Sequence, residues 1–203
     1  MKTESINISS TGSGRANALE LTEKTGAYMG LDHDNSLRLR LLSEELIGLM
    51  NSFTKELLGA FWLEAKDKTV EVHLKTEIPM DLQTRKDILS VASSGKNSAA
   101  KSFMGKIREM IEIATLPDEP EIKAMTDQAM GLMYTGCQMG THTSNYSWAM
   151  SAYVASIETQ SATQENAKNE LADLERSIVA NLADDVTVHI VGSDVEITIY
   201  KAF

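Results

Sequence analysis

Hydrophobic and polar positions change period several times along the chain, and each change predicts an element. Ile6 and Ile8 flank Asn7, an alternation expected of a short strand over 6–8, and the Ser-, Thr- and Gly-rich stretch 9–14 reads as a turn. Over 15–29 the spacing becomes helical, with Ala18, Leu21, Thr25 and Tyr28 on one face and Gly30 placed to end the helix. A second helix is predicted to start near Asp32 or Asp34, either of which can accept from the free N–H groups of a first turn. Leu42, Leu46, Met50, Phe53 and Leu57 carry its stripe, Leu39 and Leu49 widen it, and the spacing predicts an end near Leu58 with Gly59 as the stop.

The period then drops to two. Residues 60–65 lead through Lys66, Asp67 and Lys68 to Val70, Val72 and Leu74, which alternate with Glu71, His73 and Lys75, so a hairpin with one buried face is expected. Pro79 ends the second strand, because proline removes a ladder donor and restricts the residue before it. A short helix is expected over 82–91, a loop over 93–97 and a helix over 99–114 with Phe103, Ile107, Met110, Ile111 and Ala114 as its apolar side. Pro117 and Pro120 punctuate the chain. Beyond them come a methionine-rich stretch to Tyr153 and a polar stretch over 156–169, either a loop or part of a helix reaching Leu182. Leu171, Leu174, Ile178 and Leu182 form that helix's stripe. The end alternates twice, through Val186, Val188 and Ile190 and again through Val195, Ile197 and Ile199, around the turn residues Gly192, Ser193 and Asp194. Two distant hairpins and several long helices predict an α+β fold, a two-layer sandwich with helices on one face of a mixed β-sheet or an antiparallel one. The 203 residues suit one domain, with 117–169 as an unusual helical or partly mobile segment.

Charge narrows the partners. A net charge of -10 repels nucleic acid and anionic membrane surfaces, so another protein, a basic one in particular, or a second copy of the chain is the expected partner. Lys96, Lys101, Lys106 and Arg108 are the nearest to a basic patch, and Glu109 and Glu112 interrupt them, as on a solvated helix face. Cys137 stands alone and forms no internal disulfide, which with a polar start and no long apolar run predicts a cytoplasmic protein. His33, His73, His142 and His189 lack metal spacing, and His73 and His189, out of phase with the strand valines and leucines, are expected to be exposed. Cys137 and His142, five residues apart, are a candidate nucleophile and base. Tyr134, Tyr146, Trp148 and Tyr153, with the methionines, read as core or as an apolar ligand or partner surface.

The order of elements and two stretches resemble the ATP-binding domain of bacterial anti-sigma factors of the serine-kinase type, histidine kinases and Hsp90-like ATPases. One is 18–51, with Gly30-Leu31-Asp32 and Leu42-Ser43-Glu44-Glu45. The other is 177–200, with Leu182-Ala183-Asp184-Asp185-Val186 leading into the last hairpin. The resemblance implies the histidine kinase-like ATPase fold, with ATP and magnesium as cofactors. It puts Glu44 at the acidic position of the second helix, while the residue one turn on, where the family has a magnesium-binding asparagine, is Gly48. Asn51, seven after Glu44, is the substitute on the same side of an ideal helix. The Asp-x-Gly adenine motif is missing, with Thr76 and Glu77 in its place, and Asp173 and Glu175 fall where the family's lid has glycines. Ser94-Gly95-Lys96-Asn97-Ser98 is phosphate-like but not a P-loop. The resemblance with these departures predicts a non-enzymatic regulatory interaction module with weak or absent ATP binding. The alternative is an ATP-binding anti-sigma-like serine/threonine kinase or nucleotide switch.

Overall fold

Alternating strands and tight turns build the sheet on which the rest of the molecule is arranged. The computed structural model describes residues 1–53, 56–78, 102–115, 137–139, 145–161 and 165–203. Strand β1 (Ile6–Ser9) leads to helices α1 (Arg15–Tyr28) and α2 (His33–Ser52), then to the hairpin β2 (Leu58–Lys66) and β3 (Thr69–Glu77). Helix α3 (Phe103–Ala114), strands β4 (Cys137–Met139) and β5 (Asn145–Ala149), and helices α4 (Met150–Ser161), α5 (Glu165–Glu175) and α6 (Ile178–Leu182) follow. The chain closes on β6 (Asp185–Val191) and β7 (Asp194–Ala202).

One seven-stranded sheet has the order β1-β2-β3-β7-β6-β5-β4. The two hairpins lie side by side, joined by β3 and β7 with Val72 opposite Ile199. Every pairing among the described residues is antiparallel, so the antiparallel alternative holds and the mixed one is corrected. Two-residue turns explain much of this: Asp67, at φ 55, reverses β2 into β3, and Gly192, at φ 64, reverses β6 into β7.

Period-two alternation sets the faces. Phe61, Leu63, Val70, Val72, Leu74, Val186, Val188, Ile190, Val195, Ile197 and Ile199 are buried and meet Leu42, Leu46 and Met50 of α2 and Phe103, Ile107 and Ile111 of α3 in one core. Burying each such side chain contributes about 1.5–3 kcal/mol, so the core favours a two-layer arrangement strongly. No helix among the described residues is long and apolar enough to cross a membrane.

Several boundaries and faces differ from the sequence pattern. On α1 the buried side is Ala18, Leu19, Thr22 and Thr25, and Tyr28 is exposed, because Thr22 Oγ1 bonds both Ala18 O and Ser43 Oγ of α2 at 2.9 and 3.1 Å. Asp32 caps α2, accepting from Asn35 N at 2.8 Å, but the helix ends at Ser52 rather than near Leu58. Gly59 is a strand residue. A Cβ there would come within 2.9 Å of Lys75 O and 3.1 Å of the Met50 methyl, so the glycine permits close approach between sheet and helix. Ser102 Oγ accepts from Gly105 N at 3.1 Å and opens α3.

Within 117–169, the described parts form β4, β5, α4 and the start of α5. Trp148 of β5 lies opposite Val188 and is buried against Phe103 and Tyr153. The run toward Leu182 is neither one loop nor one helix but α4, α5 and α6, the last opened by Ser177. Val179, not Ile178, is the buried residue of α6. The predicted helix over 82–91, the loop over 93–97, the prolines 79, 117 and 120, Tyr134 and His142 lie outside the described residues.

Candidate functional site

Committing Leu42, Leu46 and Met50 to the core turns the next row of α2 toward the start of α3. Glu44, Glu45, Gly48 and Ser52 line one side of a cavity of about 390 Å³ there. Arg15, from the start of α1, and Ser102, Gly105 and Arg108, from the first turns of α3, line the rest with Leu49 and Met104. A neighbouring hollow of about 450 Å³ shares Glu45, Ser102 and Met104 and reaches Asp173, Arg176 and Ser177. Both volumes lie within the range of small-molecule sites.

Two of the charges in the cavity, Glu44 and Arg108, are already engaged. Glu44 lies 3.2 Å from Arg40 Nε, one turn back on α2, and Arg40 also pairs with Glu23 of α1. Arg108 Nη1 donates to Ser52 O at 2.9 Å, while its Nε is 3.8 Å from Glu112 and buried with no hydrogen-bond partner. Burial pushes the Glu112 carboxyl above its ordinary range, against the pull of Arg108. The positive end of α3, with Arg15 and Arg108, favours an anion, whereas Glu44 and Glu45 oppose one.

Behind α3, Lys106 is held by Glu170 at 2.5 Å and Asp173 at 2.8 Å, tying α3 to α5. Tyr153 Oη donates to Glu170 at 2.5 Å, so α4 joins the same cluster. Burial, then the Glu170 carboxylate, raises the Tyr153 phenol far above its ordinary value. Lys106 and Arg108 are therefore structural cations, not the solvated face expected of them. Lys96 and Lys101 lie outside the described residues.

Of the two residues singled out for ATP and magnesium, Glu44 lines the cavity and Asn51 does not. Asn51 is exposed on α2. The cavity follows the i, i+4 row of Glu44, Gly48 and Ser52, while a step of seven residues carries Asn51 to the other side of that row. Gly48, one turn after Glu44, offers no ligand atom from a side chain. Thr76 is buried and donates to Leu58 O at 2.8 Å. Glu77, the other residue expected in place of the adenine-binding aspartate, accepts from Ser193 Oγ at 3.3 Å at the end of β3. Asp173 is tied to Lys106, and Glu175 is exposed at the end of α5.

The histidines divide. His189 is exposed as expected, but His73 is buried, with 7% of its surface exposed. The Trp62 indole stacks on it from the neighbouring strand and covers it sideways. Among the described residues, no group of His, Cys, Asp or Glu is arranged to hold a metal ion. Arg108 and Lys106 are not singled out individually by the sequence, because each takes its role from a partner distant along the chain, and Arg15 is marked only by the cavity it lines.

Comparisons with protein families, with curated proteins and with solved structures return no match to this chain.

Proposed function

We propose that the chain is a regulatory protein-interaction module of the histidine kinase-like ATPase fold, with weak or absent ATP binding. Two helices, a hairpin, further helices and a final hairpin in that order support the fold. One feature of the cavity carries the function: α2 offers it Glu44, Glu45, Gly48 and Ser52, and no carboxamide. A triphosphate needs its charge neutralised by metal or by donors. Magnesium in turn needs oxygen ligands at close to octahedral geometry. Glu44 is shared with Arg40, and Glu45 adds a second repelling charge.

Arg15, Arg108 and the start of α3 favour a second reading, an ATP-binding anti-sigma-like serine/threonine kinase or nucleotide switch in which Glu44 serves as the base. Phosphoryl transfer from labelled ATP, compared between the wild-type chain and Glu44→Gln, separates the two. The interaction module transfers no phosphate in either form. Transfer that is present in the wild type and lost in Glu44→Gln selects the kinase.

A further inference from the structure

The sheet face turned away from the helices carries an acidic and aromatic cluster. Trp62, His73 and Thr198 stand side by side across β2, β3 and β7. The rings of Trp62 and His73 are 4.7 Å apart and 3° from parallel. His73 Nδ1 bonds Thr198 Oγ1 at 3.1 Å and has Glu196 Oε1 at 3.5 Å. Its Nε2 is buried without a hydrogen-bond partner, 3.3 Å from Glu71 Oε2 and 3.9 Å from Glu64 Oε1. An orphaned buried nitrogen with carboxylates close by is unusual for a self-sufficient surface.

Three carboxylates surround the ring, and among the described residues only Glu64 has a lysine or arginine partner, Lys2 at 2.8 Å. Lys2 also lies 5.1 Å from the centre of the Trp62 ring, so the cluster already holds one ammonium by a carboxylate and an aromatic face together. Glu71 and Glu196 have no lysine or arginine partner among the described residues, and their side chains are 39% and 38% exposed. A chain of net charge -10 draws basic partners toward such a face and repels phosphate-bearing ones.

We propose that this face docks a basic segment of a partner protein and receives one of its arginines or lysines beside His73, between Glu71 and Glu196. The inference rests on reading the chain as an interaction module and adds the surface and the partner's chemistry.

The test is a titration of the isotopically labelled full chain with a short arginine–serine repeat peptide, with a glutamate–serine repeat as control, followed by nuclear magnetic resonance. The basic peptide binds saturably, shifting the Trp62 indole N–H and the amides of β2, β3 and β7, and the acidic peptide does not. Glu71→Gln with Glu196→Gln weakens binding about tenfold, while Glu158→Gln with Glu175→Gln, the same charge change at exposed helix positions, alters it by less than about twofold. The wild-type footprint decides the location even if a variant is destabilised. Equal weakening in both double variants, no saturable binding, or concentration-dependent shifts of this face without peptide, which mean self-association, overturn the inference. Shifts confined to the α2–α3 cavity also overturn it but leave the interaction-module reading in place. Phosphoryl transfer dependent on Glu44 removes that reading and leaves the docking face standing.

Discussion

The Trp62 indole lies flat against the His73 imidazole, 4.7 Å between ring centres and 3° between planes, on the sheet face opposite the helices. The contact joins β2 to β3 where the two residues are register partners. A stacked aromatic pair contributes about 0.5–1.5 kcal/mol beyond the area it buries. Trp62→Phe keeps a ring over His73 and Trp62→Ala does not. In urea unfolding, Trp62→Ala should be the less stable of the two by about 1 kcal/mol. Equal stability would mean that the stack contributes nothing.

Lys106 is the shared cation of Glu170 and Asp173. Lys106→Met leaves two half-buried carboxylates without it and should cost about 2 kcal/mol. Adding Glu170→Gln and Asp173→Asn removes the stranded charges and should restore most of that loss. Chemical denaturation of the single and triple variants measures the coupling.

Tyr153 gives the clearest pH signature. Its folded-state value is raised, so the folded chain holds a proton that the unfolded chain releases at high pH. The stabilisation is fully present below the ordinary tyrosine range and is lost progressively as pH rises from there toward the raised folded-state value. Of the five tyrosines, Tyr153 should be missing from an alkaline ultraviolet titration until the chain unfolds. In Tyr153→Phe, stability above about pH 10 should fall less steeply with pH than in the wild type.

Gly14 and Gly12 both have positive φ, at 77° and 97°, but a Cβ at Gly14 would meet Asn7 O at 2.0 Å while one at Gly12 meets nothing. Gly14→Ala should cost about 3 kcal/mol or more, by strain and collision together, and Gly12→Ala about 1 kcal/mol by strain alone. Thermal unfolding of the two variants distinguishes a turn that needs only flexibility from one that also needs space.

The hairpins could be read along the chain because period two is a local property. Val72, Ile197 and Ile199 fall on the buried face without any knowledge of their neighbours. His73 sits in the polar phase of the same strand and is nevertheless buried, since its cover is Trp62 across a register that local pattern does not fix. The same limit applies at the cavity. Glu44 and Asn51 share a side of an ideal helix, but only the packing of α3 decides that the row through Gly48 and Ser52 borders the cavity. Lys106 finds its carboxylates more than sixty residues further on, so its sequence surroundings suggested a solvated face. The end of α2 was misplaced because Leu57 continues the helical stripe while belonging to the turn before β2, where its N–H donates to Ser10 Oγ at 2.9 Å.

The proposed function requires that the α2–α3 cavity, to which α2 brings Glu44, Glu45, Gly48 and Ser52, hold no magnesium-bound triphosphate. Calorimetric titration of the full chain with ATP and magnesium tests it most directly. The account predicts no saturable heat, or a Kd weaker than about 1 mM, unchanged by Glu44→Gln. Saturable binding with a Kd near about 1 μM, abolished by Glu44→Gln in a chain that remains folded, would contradict it.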